Sequence, residues 1–246
     1  MTTPTTTPAP AADKTTALWE DFVDIFYAPA QVFARRRDGR FGVALLVLVV
    51  VGAALFFLFR GMWESVTDAA IAQSLAANPN LTAEQATQAR ATAAKFAVVG
   101  GVAQAVLGYP ILIALVALLV WFVGKVFGST QRFAQAMTIV TYANVPRLLG
   151  TVIAGGLFAL GYPEQARSPN SILLSPLRLI DEASVSVVTA TLLGRFDLFT
   201  LWTTALIGVG LHVIGGLAKS KAAMGAGLVW LVSTMLMIAS AARSAG

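Results

Sequence analysis

The chain has no cysteine and a single histidine, His212. Disulfides, thiolate metal sites and thiol catalysis are excluded together, and no histidine cluster can hold zinc or iron. Charge is also scarce. Only 12% of residues are Asp, Glu, Lys or Arg, against 57% hydrophobic, and mean hydropathy is +0.75. A soluble domain of 246 residues cannot hide that much apolar surface. Catalytic signatures are missing too: there is no phosphate-cradling Gly-Lys-Ser/Thr loop, no nucleophile elbow and no HExxH pair. One histidine inside an apolar run is a poor base for a triad, and the adjacent acids Asp181 and Glu182 read as a solvated edge. The expectation is a protein that is not an enzyme and uses no cofactor or metal.

What is present is apolar sequence in long uncharged runs along the whole chain. This predicts an all-α, polytopic integral membrane helix bundle, since a crossing takes about 20 apolar residues. Five transmembrane helices are expected, at 41–59, 96–124, 133–162, 198–218 and 222–242. The third run contains Asn144, Pro146 and Arg147; without them only 148–160 remains, too short to span. The apolar stretch 183–193 is shorter still and is assigned to an interfacial or re-entrant helix. Residues 1–16, rich in Thr, Pro and Ala, predict a disordered cytoplasmic tail. The first apolar run starts about forty residues in and has no cleavage pattern, so it is expected to anchor the chain.

Residues 17–40 form a juxtamembrane amphipathic segment, expected to be a cytoplasmic interfacial helix. Leu18, Phe22 and Ile25 share one stripe, Glu20, Asp21 and Asp24 lie off it, and Pro29 interrupts it. Such a segment either lies along the cytoplasmic interface or packs under the bundle.

Arg35, Arg36, Arg37 and Arg40 precede the first span, Lys125 and Arg132 follow the second, and Lys219 and Lys221 follow the fourth. All fall on one side, whereas the cations of the other side are matched by acids. The positive-inside rule then places the N-terminus in the cytoplasm and the C-terminus outside. Trp63, Tyr162 and Trp202 fall at the expected outer interface. Basic residues beside spans point to membrane lipid as a partner and away from nucleic acid. The outer loop 61–95 reads as two helical pieces split at Asn78-Pro79-Asn80, with Thr82 and Gln85 as a capping box for the second.

Arg147 is the most informative residue. A cation near mid-bilayer costs about 2.5–3.5 kcal/mol on insertion scales, and none of the five runs offers it a carboxylate. Asn144 shares its face at i, i+3, and Pro146 leaves the carbonyl of Tyr142 without its helical donor. Tyr142, Asn144, Pro146 and Arg147 therefore define a candidate intramembrane polar notch, unless Arg147 snorkels to the interface. His212, on a face with Gly208 and Gly216, is read as a packing residue or a proton site. Small residues four apart, Ala97, Gly101 and Ala105 and again Thr151, Gly155 and Ala159, predict close helix packing.

Three stretches resemble the bacterial branch of the Yip1-domain membrane proteins. Phe26-x-x-Pro29-x-x-x-Phe33 is similar to the family's Pro-containing opening segment, and Tyr142 to Pro146 to its Tyr-x-x-x-Pro element. Phe196-Asp197-Leu198-Phe199-Thr200-Leu201-Trp202 resembles its Asp-Leu-Phe-x-x-Trp signature. The resemblance implies five spans with a cytoplasmic N-terminus. It also implies an accessory role, since some bacterial relatives accompany MacB-type ABC exporters. The Asp-Leu-Tyr-Gly-Pro element of Rab-associated eukaryotic relatives is lacking, so Rab binding is not carried over. Two functions follow as expectations: a non-enzymatic scaffold or accessory subunit partnered by another membrane protein, or a small-solute or lipid transporter using the notch.

Overall fold

The computed structural model describes residues 18–76, 82–162, 174–180 and 184–244. Regular structure among them is entirely helical. A short pair, α1 (Leu18–Asp24) and α2 (Pro29–Arg35), precedes α3 (Gly42–Leu58) and α4 (Arg60–Ala76). Next come α5 (Ala83–Ala103), a π turn at Gln104–Gly108 and α6 (Tyr109–Val126). They are followed by α7 (Phe133–Ala143), α8 (Val145–Ala159), α9 (Val187–Gly194), α10 (Leu198–Val213) and α11 (Lys219–Ser244).

Helix α6 shows why these residues choose a membrane. Ile113, Ala117, Val120 and Gly124 are buried at helical spacing, while Ile111, Leu115, Leu118 and Phe122 are exposed at the same spacing. Both faces are apolar, one meeting the bundle and the other suited to lipid. Pro110 cannot donate to the ladder, and the chain takes the π turn immediately before it, where the Tyr109 N–H reaches the Gln104 carbonyl. Helix α7 is the centre of the bundle: every residue from Ala136 to Ala143 is buried.

The five apolar runs fall on α3, α5–α6, α7–α8, α10 and α11. By length and composition, Glu84–Val126 and Lys219–Arg243 are each sufficient to cross. Two more candidates are bent pairs, α3 with α4 at 73° and α9 with α10 at 56°. The protein is thus all-helical with two to four candidate spans among the described residues, fewer than the five expected. The shortfall has a physical cause. The third run breaks at Asn144 into pieces of 11 and 15 residues, because Pro146 removes a ladder donor. The fourth run ends at Val213 rather than 218, and from Val187 the 183–193 stretch forms α9, bent against α10.

Thr82 caps α5 with the expected reciprocal bonds to Gln85, 3.2 and 2.9 Å. The Asn78-Pro79-Asn80 split, like the 1–16 tail, lies outside the described residues.

Glycines in the interior act as sockets for side chains. Gly101 receives the ring of Phe56, Gly150 that of Phe199, Gly155 that of Phe59, and Gly210 the side chain of Ile139. The close backbone approach expected of the small-residue stripes is replaced at Gly101 and Gly155 by phenyl rings from α3 and its C-terminal cap.

At one end of the bundle three turns are tied together. Arg132 donates to the Asp38 carbonyl at 3.2 Å and Gln135 to that of Arg37 at 2.8 Å. The Ser129 hydroxyl donates to the Gly215 carbonyl at 2.7 Å, and the Gln131 amide to that of Val120 at 3.1 Å. The basic loops assigned to one side are therefore neighbours in space. Gly128 and Gly216 turn these loops with φ of 91° and 69°.

Candidate functional site

Sequence spacing gathered Tyr142, Asn144, Pro146 and Arg147 into one notch; the fold separates them. Asn144 turns back onto α7, its side-chain amide donating to the Val140 carbonyl at 2.8 Å. Pro146 is buried at the first turn of α8. Tyr142 is fully enclosed and its ring meets Phe22 of α1, centroids 6.1 Å apart. Arg147 alone faces α10, where its guanidinium donates to the Thr200 hydroxyl at 3.2 Å.

Arg147 lines a cavity of about 240 Å³. Met62 and Trp63 of α4 form one wall, and Arg147, Gly150, Thr151 and Ala154 of α8 another. Asp197, Phe199 and Thr200 at the start of α10 close it, with Leu174. The cavity lies toward the end of the bundle opposite the basic turns, because α3 leads away from them into α4 and α10 leads back to them.

Asp197 is 5% exposed and stands at the N-cap of α10. Its Oδ1 accepts from the Phe199 N–H at 3.1 Å, the Thr200 N–H at 3.0 Å and the Thr200 hydroxyl at 3.3 Å. Its Oδ2 accepts from the Leu174 N–H at 2.9 Å. This carboxylate is saturated by capping, and no carboxylate lies within ion-pair distance of Arg147 among the described residues. Arg195, within electrostatic reach of Arg147, turns to hydroxyls of α11, Thr234 at 3.0 Å and Ser233 at 3.1 Å.

A second polar assembly fastens the N-terminal pair. Asp21 is wholly buried and receives Arg35 at 2.8 Å and Arg36 at 2.5 Å. Asp24 receives Arg35 at 2.5 Å and the Tyr27 hydroxyl at 2.5 Å. The Tyr27 hydrogen bond, and then that of Arg35, hold the Asp24 carboxyl below the usual range. Ile25, Val32 and Phe33 are fully buried, and Phe26 meets Trp202 edge-on at 5.4 Å. Residues 18–40 thus form a helical hairpin packed into the bundle, the second of the two arrangements the sequence left open. Trp202, expected in an outer aromatic belt, is the residue of α10 that this wedge meets through Phe26. Pro29, at the first position of α2, makes the corner that separates the two helices.

His212 serves its turn. Its Nδ1 lies 2.7 Å from the Leu217 carbonyl, closing the α10–α11 connection. The shared face with Gly216 does not exist, because α10 ends at Val213 and Gly216 sits in the turn.

Sequence reasoning named Asp21, Trp63 and Thr200 but not the contacts they make. Acids before Pro29 matched by bases after it were a usable sign of a hairpin. Nothing in the sequence brings Trp63 to Arg147.

These features define an α-helical membrane protein with buried polar fastenings and apolar outer faces. The chain belongs to the Yip1 family: the Yip1 domain model matches residues 23–241. It is also similar to membrane protein YknW of Bacillus subtilis (strain 168), 25% identical over 187 residues, covering 75% of this chain and 73% of that protein. No solved structure matches.

Proposed function

We propose that the protein is a non-enzymatic accessory subunit of a complex in the bacterial cytoplasmic membrane, docking its partner through the N-terminal wedge. One observation carries this. On α1 and its following turn, Trp19, Val23 and Tyr27 recur four apart and are 67, 48 and 71% exposed. Aromatic anchors on a rigid support are what binding hot spots require, and the Asp21 and Asp24 ion pairs supply the rigidity. Several polar residues of the interior, Asp197, Ser129 and Gln131 among them, serve caps and turns, which suits a structural part. The positive-inside rule puts the tied basic turns, and with them the wedge, toward the cytoplasm.

The experiment is affinity purification from native membrane in mild detergent, followed by mass spectrometry. A membrane-protein partner is expected, with ABC exporter subunits the first to look for. The double change Trp19→Ala, Tyr27→Ala should lose it while the protein itself elutes unchanged. Retention of the partner by that variant overturns the docking face. Transport through the notch draws no support from the packing, since Asn144 and Pro146 are closed into the core.

A further inference from the structure

The cavity beside Arg147 contains an imbalance of hydrogen-bonding groups. Arg147 Nε and Trp63 Nε1 are both shut off from solvent with no hydrogen-bond partner among the described residues. Both belong to residues lining the same cavity. Each group can only donate, so what is missing is an acceptor. Among the described residues Arg147 makes one bond, to Thr200, although its guanidinium carries five N–H donors. The nearby carboxylate does not fill the need, because Asp197 already accepts four hydrogen bonds from Leu174, Phe199 and Thr200. Among the described residues Arg147 and Arg195 stand against Asp197 alone here, an excess of positive charge.

We propose that this cavity binds the phosphate group of a membrane phospholipid, with Arg147 and Trp63 turning their N–H donors onto its oxygens. Guanidinium is well matched to such a group, because its planar fork meets phosphate oxygens in pairs. The size fits a headgroup rather than a whole lipid, since 240 Å³ falls below the roughly 300–1,000 Å³ of pockets that enclose entire drug-sized ligands. Met62, Ala154 and Phe199 give the cavity apolar walls suited to glycerol carbons. Outside it, Leu149 and Val152 of the same helix are 40 and 43% exposed, a track for acyl chains that inorganic phosphate would not use. The site is independent of the docking face, and either assignment can fail without the other.

The test uses the full chain in an uncharged detergent, titrated with dihexanoylphosphatidylglycerol or with inorganic phosphate, and read by native mass spectrometry. The wild-type protein is expected to retain the lipid at concentrations where inorganic phosphate does not bind. Arg147→Gln should weaken lipid binding about tenfold or more, the scale of a lost charge-assisted hydrogen bond. Trp63→Phe keeps the ring and removes one donor, so about threefold weakening is expected. Should Arg147→Gln fail to fold, Trp63→Phe and Arg147→Lys carry the comparison. Lysine keeps the charge but loses the fork, and should bind more weakly than wild type. Equal lipid retention by folded Trp63→Phe and Arg147→Lys overturns the site. Binding of inorganic phosphate as tight as that of the lipid overturns the lipid assignment.

Discussion

The cap at Asp197 gives a prediction whose size can be worked from its four hydrogen bonds. Asp197→Ala removes an N-cap, worth about 1 kcal/mol, and leaves the partly buried Leu174 N–H without its acceptor, at least about 1 kcal/mol more. The total is about 2–3 kcal/mol. Asp197→Asn should be milder: its oxygen can keep the cap on Phe199 and Thr200, but its NH₂ then faces the Leu174 N–H, donor against donor. A loss of about 1–2 kcal/mol is expected there. At about 2–4 °C per kcal/mol for a domain of this size, Asp197→Ala should lower the melting midpoint by about 5–10 °C and Asp197→Asn by about half as much. Midpoints can be read in detergent from the monodisperse peak left after heating. An Asp197→Ala protein melting within about 1 °C of wild type, or an Asn variant weaker than the Ala one, would refute the account of the cap.

Gly210→Ala should destabilise by about 1–3 kcal/mol by overpacking, because its Cβ would stand 2.6 Å from Ile139 Cγ2. Gly208→Ala, whose Cβ would meet nothing nearer than 3.5 Å, should be neutral or mildly stabilising in the same melt. His212→Ala should cost about 1 kcal/mol and speed hydrogen exchange in the 214–218 turn; an unchanged turn would show that the bond to Leu217 is idle. The wedge should ignore pH across the neutral range. The folded-state pKa of Asp24 is lowered, so its contribution is complete above the unfolded value of about 3.9 and lost as pH falls through the lower folded one. Tyr27 is raised by its bond to Asp24, so its contribution holds below about pH 10 and is lost above the folded value. Limited proteolysis near the α1–α2 corner should therefore be flat from about pH 5 to 9; loosening between about pH 5 and 7 would contradict this.

Helices α3, α6 and α11 were legible because long uncharged runs have few alternatives to helix in lipid. The cap of α5 was legible because Thr82 and Gln85 are local partners. Asp197 stands just before an apolar run, so its cap is local in the same way. The break at Asn144 was visible only as a proline, and its effect on Arg147 was not: one turn of altered backbone sends Asn144 toward Val140 and Arg147 toward Thr200. The wedge was half legible. Its stripe of Leu18, Phe22 and Ile25 marked a buried face, but Asp21 looked like a solvated acid until folding at Pro29 brought two arginines onto it. The cavity was not legible at all, since Trp63, Arg147 and Asp197 are far apart in sequence and no periodicity links them.

The helices around that cavity are short. Fifteen residues of α8 and sixteen of α10 rise only about 22 and 24 Å, against a hydrocarbon core about 30 Å thick. Standing alone, neither reaches both headgroup layers. A bilayer meets such a deficit by thinning locally, which draws the nearer leaflet inward along the short helices. The same hydrophobic mismatch shortens the distance a headgroup must travel to Arg147, and it predicts that the protein sits most comfortably in thin membranes. On the proposed lipid reading, the arginine of that long apolar run would stand beside the thinned leaflet.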